Sequence, residues 1–450
     1  MNEISFERLS FLMSVLSRNH RACAFPAPGL VIVVLLPVLL ILFSVSFAFA
    51  GRLALAPSLA LDGEYNDNIF LVTEEEVDEG EEVKTEDYIL TARPGLRLRY
   101  DTIRLAAFAG GSVGIQSYYE NEEENRLPSN VTMETGLSYW FGPKTQVGIE
   151  DNLTFFYDPR ESFGTDTEEV LSVRTGSINN GITLNARRII NRLSIVDASY
   201  TFSTMEYEDS NLFDVVRHLA EASWNRRVSE RHTLVVFGRY ARNLYNTEFD
   251  FMRRHWDSDA RMDEEFPYQL KRSSDFDSYV PGLGLVYQIT PSLAVQVRSG
   301  LVLPVYYVDE NYRLDEIDWY QRLGMNYQYR RYRFNLIYER DLIPASGVDT
   351  AVLNQRYGIG FDQVWTRRFV TGLSHNFTRA DHRPGIIDAY RSGVTASYYF
   401  FTWLGLSAGY QRYEQFSVYG AGPEQTIKTN RFLLSLSVGM PNPDWLSVTL

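Results

Sequence analysis

From Tyr390 the chain alternates. Tyr390, Ser392, Val394, Ala396, Tyr398 and Phe400 occupy one set of positions, with Arg391, Gly393, Thr395, Ser397 and Tyr399 between them. After Phe401-Thr402-Trp403 the rhythm resumes, Leu404, Leu406, Ala408 and Tyr410 against Gly405, Ser407, Gly409 and Gln411. Successive side chains on a strand point to opposite faces, so each run has one mostly apolar face and one small or polar face. Each run is about ten residues long, close to the ~9–11 that a tilted strand needs to cross a bilayer. Rings crowd the turn, where a spanning strand meets the membrane interface. The stretch predicts one hairpin of a transmembrane antiparallel β-barrel.

The same rhythm fills the rest of the chain. Thr132–Phe141 turns at Gly142-Pro143 into Thr145–Tyr157, and Leu171–Ala186 turns near 187–191 into Leu193–Tyr207. Later hairpins turn at 229–231, Thr290-Pro291-Ser292, Arg330-Arg331 and Thr366-Arg367. Polar loops fall at Glu120–Ser129, near 158–170, at Asn246 to about Asp275, and near 415–427. Short and long connections therefore largely alternate, as in outer-membrane barrels with short periplasmic turns and longer outside loops. The expectation is an all-β, up-and-down barrel of about eighteen strands, with sixteen as the alternative, over residues 51–440. An even count puts both ends in the periplasm, and the loops near 78 and 246–275 outside. An open sheet edge in lipid would leave backbone groups without partners, so the sheet must close. Two aromatic girdles are expected. One comprises Trp140, Phe141, Tyr329, Trp365, Phe400 and Trp403 by the short turns; the other Tyr118, Tyr119, Phe155, Phe156, Tyr306 and Tyr307 by the long loops. The alternative for so many rings is a β-sandwich core or a propeller.

Composition narrows this further. A single soluble core rarely grows past ~250–300 residues, yet no linker divides the 450-residue chain after residue 51. Aromatics make up 14% and mean hydropathy is −0.23, which argues against several ~20-residue apolar helices. Residues 1–50 differ: Arg8, Arg18, His20 and Arg21 precede an apolar run from Leu30 to Phe47, then Ala48-Phe49-Ala50. That is the form of a secretory signal peptide cut after Ala50, with an uncleaved membrane anchor as the alternative. Residues 441–450 read as a C-terminal tail. The only cysteine, Cys23, lies in the leader, so the remainder has no disulfide or thiolate chemistry. The chain carries −14; three arginines against Glu3 and Glu7 give residues 1–50 a net +1, leaving −15 for the rest. Such acidity excludes nucleic acid as an expected partner.

Pro57-Ser58-Leu59-Ala60-Leu61, Tyr65-Asn66-Asp67-Asn68-Ile69-Phe70 and Arg93-Pro94-Gly95-Leu96 carry a resemblance. The region from about 57 to 100 resembles the start of outer-membrane β-barrel porins, including those encoded beside exopolysaccharide and exosortase systems. The resemblance implies the outer membrane of a Gram-negative bacterium and a role in polysaccharide export. Partners implied are outer-membrane lipid and lipopolysaccharide, the barrel-assembly machinery, and polysaccharide export components. It supplies no catalytic, cofactor or binding residues. The acidic first loop and the ending at Leu450 depart from that pattern and bear on recognition by the assembly machinery.

Barrels of this size leave an aqueous channel. Arg97, Arg99, Arg239, Arg298, Arg333, Glu339 and Arg391 are the expected pore-lining charges, and rings of charge in a pore select among solutes. The alternative is that they pair across strands to hold the sheet. The 246–275 loop carries Arg253, Arg254, Trp256 and Asp257 beside Phe249 and Phe251; it is expected to bend inward as a constriction or sugar platform. The alternative is a mobile outside loop. The acidic run 74–82 lacks the spaced ligands and pivotal glycine of an EF-hand and reads as a solvated loop. Asp381-His382 and Ser374-His375 are the nearest approaches to a hydrolase, but neither has a third orienting group, and triads are recognised by geometry. No phosphate loop, zinc spacing or haem motif occurs, so no enzyme, metal or cofactor is expected. Three readings remain: a passive pore for polysaccharide or small hydrophilic solutes, a scaffold barrel docking an envelope export partner, and an outer-membrane hydrolase. Deleting the 246–275 loop should raise single-channel conductance; unchanged conductance would mark it as an outside loop.

Overall fold

A strand in lipid must find hydrogen-bond partners on both edges. The computed structural model describes residues 51–73, 85–157, 176–208, 214–245, 275–306, 317–344, 351–382, 385–419 and 424–439. The leader, the acidic run 74–82, most of the 246–275 loop and the 441–450 tail lie outside them. Eighteen strands follow in order. They are β1 (Arg52–Asn66), β2 (Asp87–Asp101), β3 (Leu105–Tyr118), β4 (Arg126–Trp140), β5 (Thr145–Phe156) and β6 (Ser177–Asn191). Next come β7 (Ser194–Tyr207), β8 (Val215–Arg227), β9 (His232–Tyr245), β10 (Phe276–Thr290), β11 (Leu293–Tyr306) and β12 (Asp318–Tyr329). The last are β13 (Tyr332–Pro344), β14 (Ala351–Val364), β15 (Phe369–His382), β16 (Gly385–Phe401), β17 (Leu404–Tyr419) and β18 (Glu424–Gly439). Each pairs with its neighbours in sequence, and β1 pairs antiparallel with β18 from Ser58↔Gly439 to Asn66↔Arg431. The sheet is a closed barrel.

The short turns have a chemical cause. At five of them a hydroxyl or amide oxygen at the first corner accepts a backbone N–H two or three residues on. Thr102 accepts from Leu105 at 2.8 Å, Asn191 from Leu193 at 2.9 Å and Ser229 from His232 at 3.1 Å. Thr290 accepts from Ser292 at 3.2 Å and Thr366 from Phe369 at 3.0 Å. Such Asx and Ser/Thr turns reverse the chain where the alternation lapses. Gly142 takes φ +76° in another, a region that suits glycine. Four expected bounds need correction. β4 begins at Arg126 rather than Thr132, β6 runs to Asn191, and β17 and β18 project to Tyr419 and Glu424 through the region expected as a loop. Strands of 12 to 17 residues outrun the ~9–11 that lipid requires, so their outer ends hold polar residues that read as loop.

Contacts between non-adjacent strands identify the concave side. Arg239 of β9 meets Asp341 of β13, Arg298 of β11 meets Glu221 of β8, and Arg97 of β2 meets Glu134 of β4. Side chains separated by intervening strands meet only inside a cylinder, and alternation through the register then assigns both faces. The outward face is apolar: Leu61, Leu90, Leu96, Leu283, Leu285, Leu373, Val394 and Leu434 are all exposed. At the long-loop end it carries a row of rings, Tyr338–Tyr357 (4.7 Å between centroids), Tyr357–Phe377 (5.6 Å) and Phe377–Tyr390 (4.7 Å). The row resumes with Tyr410–Phe432 (4.9 Å) and Tyr65–Tyr88 (5.1 Å). Tyr118, Phe156 and Tyr306, expected in this girdle, instead stand on inward positions and are buried or half-buried.

The Tyr65–Phe70 motif closes the barrel. Beyond β1 the chain folds against β18, where Asp67 accepts from the backbone N–H and the side-chain amide of Asn430, both at 2.7 Å. Asn68 donates to the carbonyls of Lys428 (3.1 Å) and Val72 (2.9 Å) and accepts from the Val72 N–H (3.0 Å). Ile69 is wholly buried against Ile89 and Tyr118. Arg431 grips Glu64 with two bonds of 2.6 Å. Leu71 is held at φ +58°, a conformation a leucine adopts only when its surroundings impose it. Asp67→Ala should destabilise the barrel by ~1–3 kcal/mol, because two donors of Asn430 lose their acceptor; Asp67→Asn should cost less. The thermal midpoint of heat-modifiable gel mobility reads both, and no drop for the alanine would remove the latch.

Candidate functional site

The inward face is where solute chemistry would occur. Much of it is hydroxyl and amide. Ser112 and Thr132 share a hydrogen bond of 2.8 Å across β3 and β4, and Thr183 and Thr201 one of 3.0 Å across β6 and β7. Asn185 stands opposite Ser199, Asn376 opposite Arg391, and Ser407 opposite Ser435.

The seven expected pore-lining charges all stand on inward register positions, and most have a partner of opposite sign. Arg97 reaches Glu134 at 2.8 Å over Gly110, where a Cβ would lie 3.1 Å from the carboxylate and 3.4 Å from the Arg97 stem. Arg99 pairs with Asp101 (2.8 Å), Arg298 with Glu221 (3.1 Å) and Arg239 with Asp341 (2.5 Å). Glu339 lies between Arg322 (3.8 Å) and Arg356 (3.7 Å). Arg333 stands opposite Asp362, and Arg391 donates to Gln411 at 3.1 Å. Most of these arginines thus face an acid, two of them share Glu339, and Arg391 faces an amide. Sequence reasoning missed those acids, together with Arg93 on Asp62 and Arg431 on Glu64. Their signal was present: Asp62, Glu64, Glu134, Glu221 and Asp341 all sit on the polar parity of their strands. The constriction candidates Arg253, Arg254, Trp256 and Asp257 lie outside the described residues.

Arg239 and Asp341 stand four strand steps apart, roughly 19 Å of wall at ~4.8 Å per step. Their side chains cannot span that distance on a gently curved wall, so β9–β13 must curl tightly. The curl has its own core: Val235, Phe237, Val280, Val302 and Tyr320 are at most 5% exposed although they face inward. Phe237 and Tyr320 meet edge to face at 5.7 Å. Arg239 lies 5.5 Å from the Tyr320 ring and Arg298 5.7 Å from the Phe237 ring, a favourable place for a cation. Two glycines permit it. A Cβ on Gly282 would enter the Phe237 ring, and one on Gly300 would lie 2.6 Å from the Pro281 carbonyl oxygen. Glycine in a strand marks such a tight bend. Part of the interior is therefore packed rather than open.

Along the axis the inward face changes. At the short-turn end Arg52, Ala54, Arg187, Gln328, Thr395 and Ser437 are exposed. At the long-loop end Ile89, Tyr118, Phe276, Ile343, Val352, Gln415 and Thr429 are at most 4% exposed. Inward side chains are thus exposed at the short-turn end and buried at the other.

The hydrolase candidates separate. Ser374 and His375 are consecutive on β15 and so face opposite sides of the wall; His375 Nδ1 instead meets Ser392 Oγ at 2.9 Å on the outward face. Asp381 and His382 end β15 at the long-loop rim.

No family model matches the chain, and no curated protein matches it. Among solved structures, the siderophore receptor PirA from Pseudomonas aeruginosa aligns over 86% of this chain and 80% of its own, at 9% identity and TM-score 0.43. OccAB4 of Acinetobacter baumannii aligns over 86% and 98%, at 10% identity and TM-score 0.43. OccK5 (OpdH) of Pseudomonas aeruginosa aligns over 86% and 98%, at 10% identity and TM-score 0.40. At such identities and scores the fold rests on the chain's own strand pairing. A closed antiparallel barrel with an even strand count, short turns at one end, an apolar outside, a ring girdle and a polar inside is a transmembrane barrel of a Gram-negative outer membrane.

The Arg239–Asp341 pair gives a direct test of the curl. Both side chains are at most 9% exposed, so removing either partner strands a buried charge, a loss of ~3–5 kcal/mol. Arg239→Ala and Asp341→Ala should each lower the unfolding midpoint strongly, and the double variant should lose much less than the sum. Additive losses would mean the two groups do not meet.

Proposed function

We propose that this chain is a passive outer-membrane pore for small, neutral, hydroxyl-rich solutes. The observation that carries this reading is the inward face, where hydroxyls and amides predominate and charges neutralise one another. Paired charges leave a weak net field, so simple ions should be poorly discriminated. Hydroxyls and amides exchange hydrogen bonds with a sugar as readily as with water, without holding it. The resemblance of residues 57–100 to barrels beside exopolysaccharide systems extends this reading to a polysaccharide strand as cargo. In that extension the 246–275 loop, with Arg253, Arg254, Trp256 and Asp257, forms the narrow platform, and export components dock at the periplasmic end.

The burial of the inward face at the long-loop end favours a second reading, a non-conducting barrel that serves as a docking scaffold. Conductance separates the two. The purified chain in planar bilayers should give discrete current steps with a potassium-to-chloride permeability ratio near one, and neutral oligosaccharides should interrupt the current. Silence would favour the scaffold. Strong ion selectivity would overturn the neutral lining.

A further inference from the structure

The wall has a hollow that a pore does not use. It lies at the long-loop end of β17, β18, β1, β2 and β3 and encloses about 830 Å³. A row of rings forms its upper edge, Tyr119, Tyr88, Tyr65 and Phe432, with Tyr65 5.1 Å from Tyr88 and 6.3 Å from Phe432. Gly63, Ser117 and Ala408 make a floor of short side chains, flanked by Leu90 and Leu434. The register places Ala408 beside Leu434 and Leu434 beside Gly63, all on the outward face. Four inward side chains also border it, Glu64, Ile89, Tyr118 and Leu433, but each lies between two outward residues of the lining, and the inward Asp62, Arg93, Gln411 and Arg431 do not border it. The hollow therefore opens to the membrane and not to the lumen.

Its side chains are laid bare like the rest of the outward face: Tyr88 is 61% exposed, Leu90 60%, Tyr119 76%, Phe432 53% and Leu434 54%. Exposed apolar side chains are the rule on a lipid-facing wall; what sets this place apart is its shape, a recess floored by Gly63, Ser117 and Ala408 beneath a row of rings. It continues directly into the apolar belt below, at Leu61, Leu59 and Leu436. Nothing polar at that depth can be left without a partner, so water is a poor filler. The chemistry that fits is a hydrocarbon chain in van der Waals contact with rings above and a flat floor beneath. At the aqueous edge, Glu122 lines the mouth and Tyr65 donates to Glu86 at 2.7 Å. These carboxylates suit a head group with hydroxyl or ammonium donors.

We propose that this recess seats an acyl chain of a phospholipid whose ammonium or hydroxyl head group lies at Glu122. The site differs from ordinary annular contact in holding one lipid in one place. It does not depend on whether the lumen conducts.

Filling the recess tests this. A Cβ on Gly63 would meet only the Leu434 carbonyl oxygen, at 3.9 Å, so the wall accepts a larger residue there. The variants are Gly63→Trp and, independently, Ala408→Trp. The control is Gly238→Trp, on the outward face of β9, where a Cβ meets nothing within 4 Å. Each full-length protein, checked for heat-modifiable mobility, is delipidated in detergent and titrated with dimyristoyl phosphatidylethanolamine under native mass spectrometry. Wild type and Gly238→Trp should retain one lipid that survives activation; Gly63→Trp and Ala408→Trp should bind it about tenfold more weakly. Equal retention by all four proteins, or no retained lipid on wild type, would overturn the seat. A lipid-free species of twice the mass would assign the recess to a second copy and overturn it equally.

Discussion

Every strand in this chain answers to one requirement, that no backbone N–H or C=O face hydrocarbon without a partner. Soluble sheets leave their edges to water; this one cannot. The demand is heaviest where the chain has no turn to help it, at the join of β1 to β18, whose partners are more than three hundred residues apart in sequence. There the ladder is reinforced from outside the strands. Asp67 and Asn68 bind the backbone of β18, Arg431 holds Glu64, and Ile69 is driven into the inward cluster. The motif that carries the family resemblance is thus explained by closure. Asp67 and Asn68, two of its polar residues, bind across the seam, and Asn66 accepts from the Asn68 N–H.

Closure does not require a round section. Once all edges are paired, curvature is set by the side chains that crowd the concave side. Around most of the wall these are hydroxyls, amides and ion pairs between strands one or two apart. Between β9 and β13 they are Phe237, Tyr320, Val235, Val280 and Val302, and glycine stands at 282 and 300 where a larger residue would hold the strands off. Apolar burial and the Arg239–Asp341 pair pull the same way, so the wall folds on itself there. The arginine is stabilised by its carboxylate and by the Tyr320 ring, which makes its burial tolerable.

The barrel was legible in the sequence because its signal is period two repeated many times with turn residues between, and repetition survives errors at any one strand. The ends of strands were not legible. Outside the lipid both faces meet polar surroundings, and alternation disappears at Arg126–Val131, Gln415–Val418 and Glu424–Ile427 although pairing continues there. Rings near loops misled for a related reason: Tyr118 and Phe156 have the right height for a girdle, but parity turns them inward. The inward arginines and acids could both be read from parity; which acid meets which arginine could not, since Arg239–Asp341 and Arg298–Glu221 join strands that never pair. A trace of the curl was present in Gly282, Gly284 and Gly300, three glycines on the inward parity of neighbouring strands.

The charge pattern and the curl together decide what kind of interior this is. The chain as a whole is strongly acidic, yet most of the inward arginines described above lie against acids, so much of the excess negative charge resides elsewhere. Much of it is in the run 74–82 and in other segments between strands at the long-loop end. A barrel built to draw one sign of solute would concentrate that sign's opposite on the inner wall. Here the wall's charges serve first to hold the inner faces of neighbouring strands together, and the polarity left over comes from Ser, Thr, Asn and Gln. In the proposed pore, an interior of that composition is hydrated without being selective for charge. With β9–β13 packed, discrimination in such a pore passes to the width of the remaining space and to hydrogen bonding along it, terms that distinguish solutes by size and hydroxyl content.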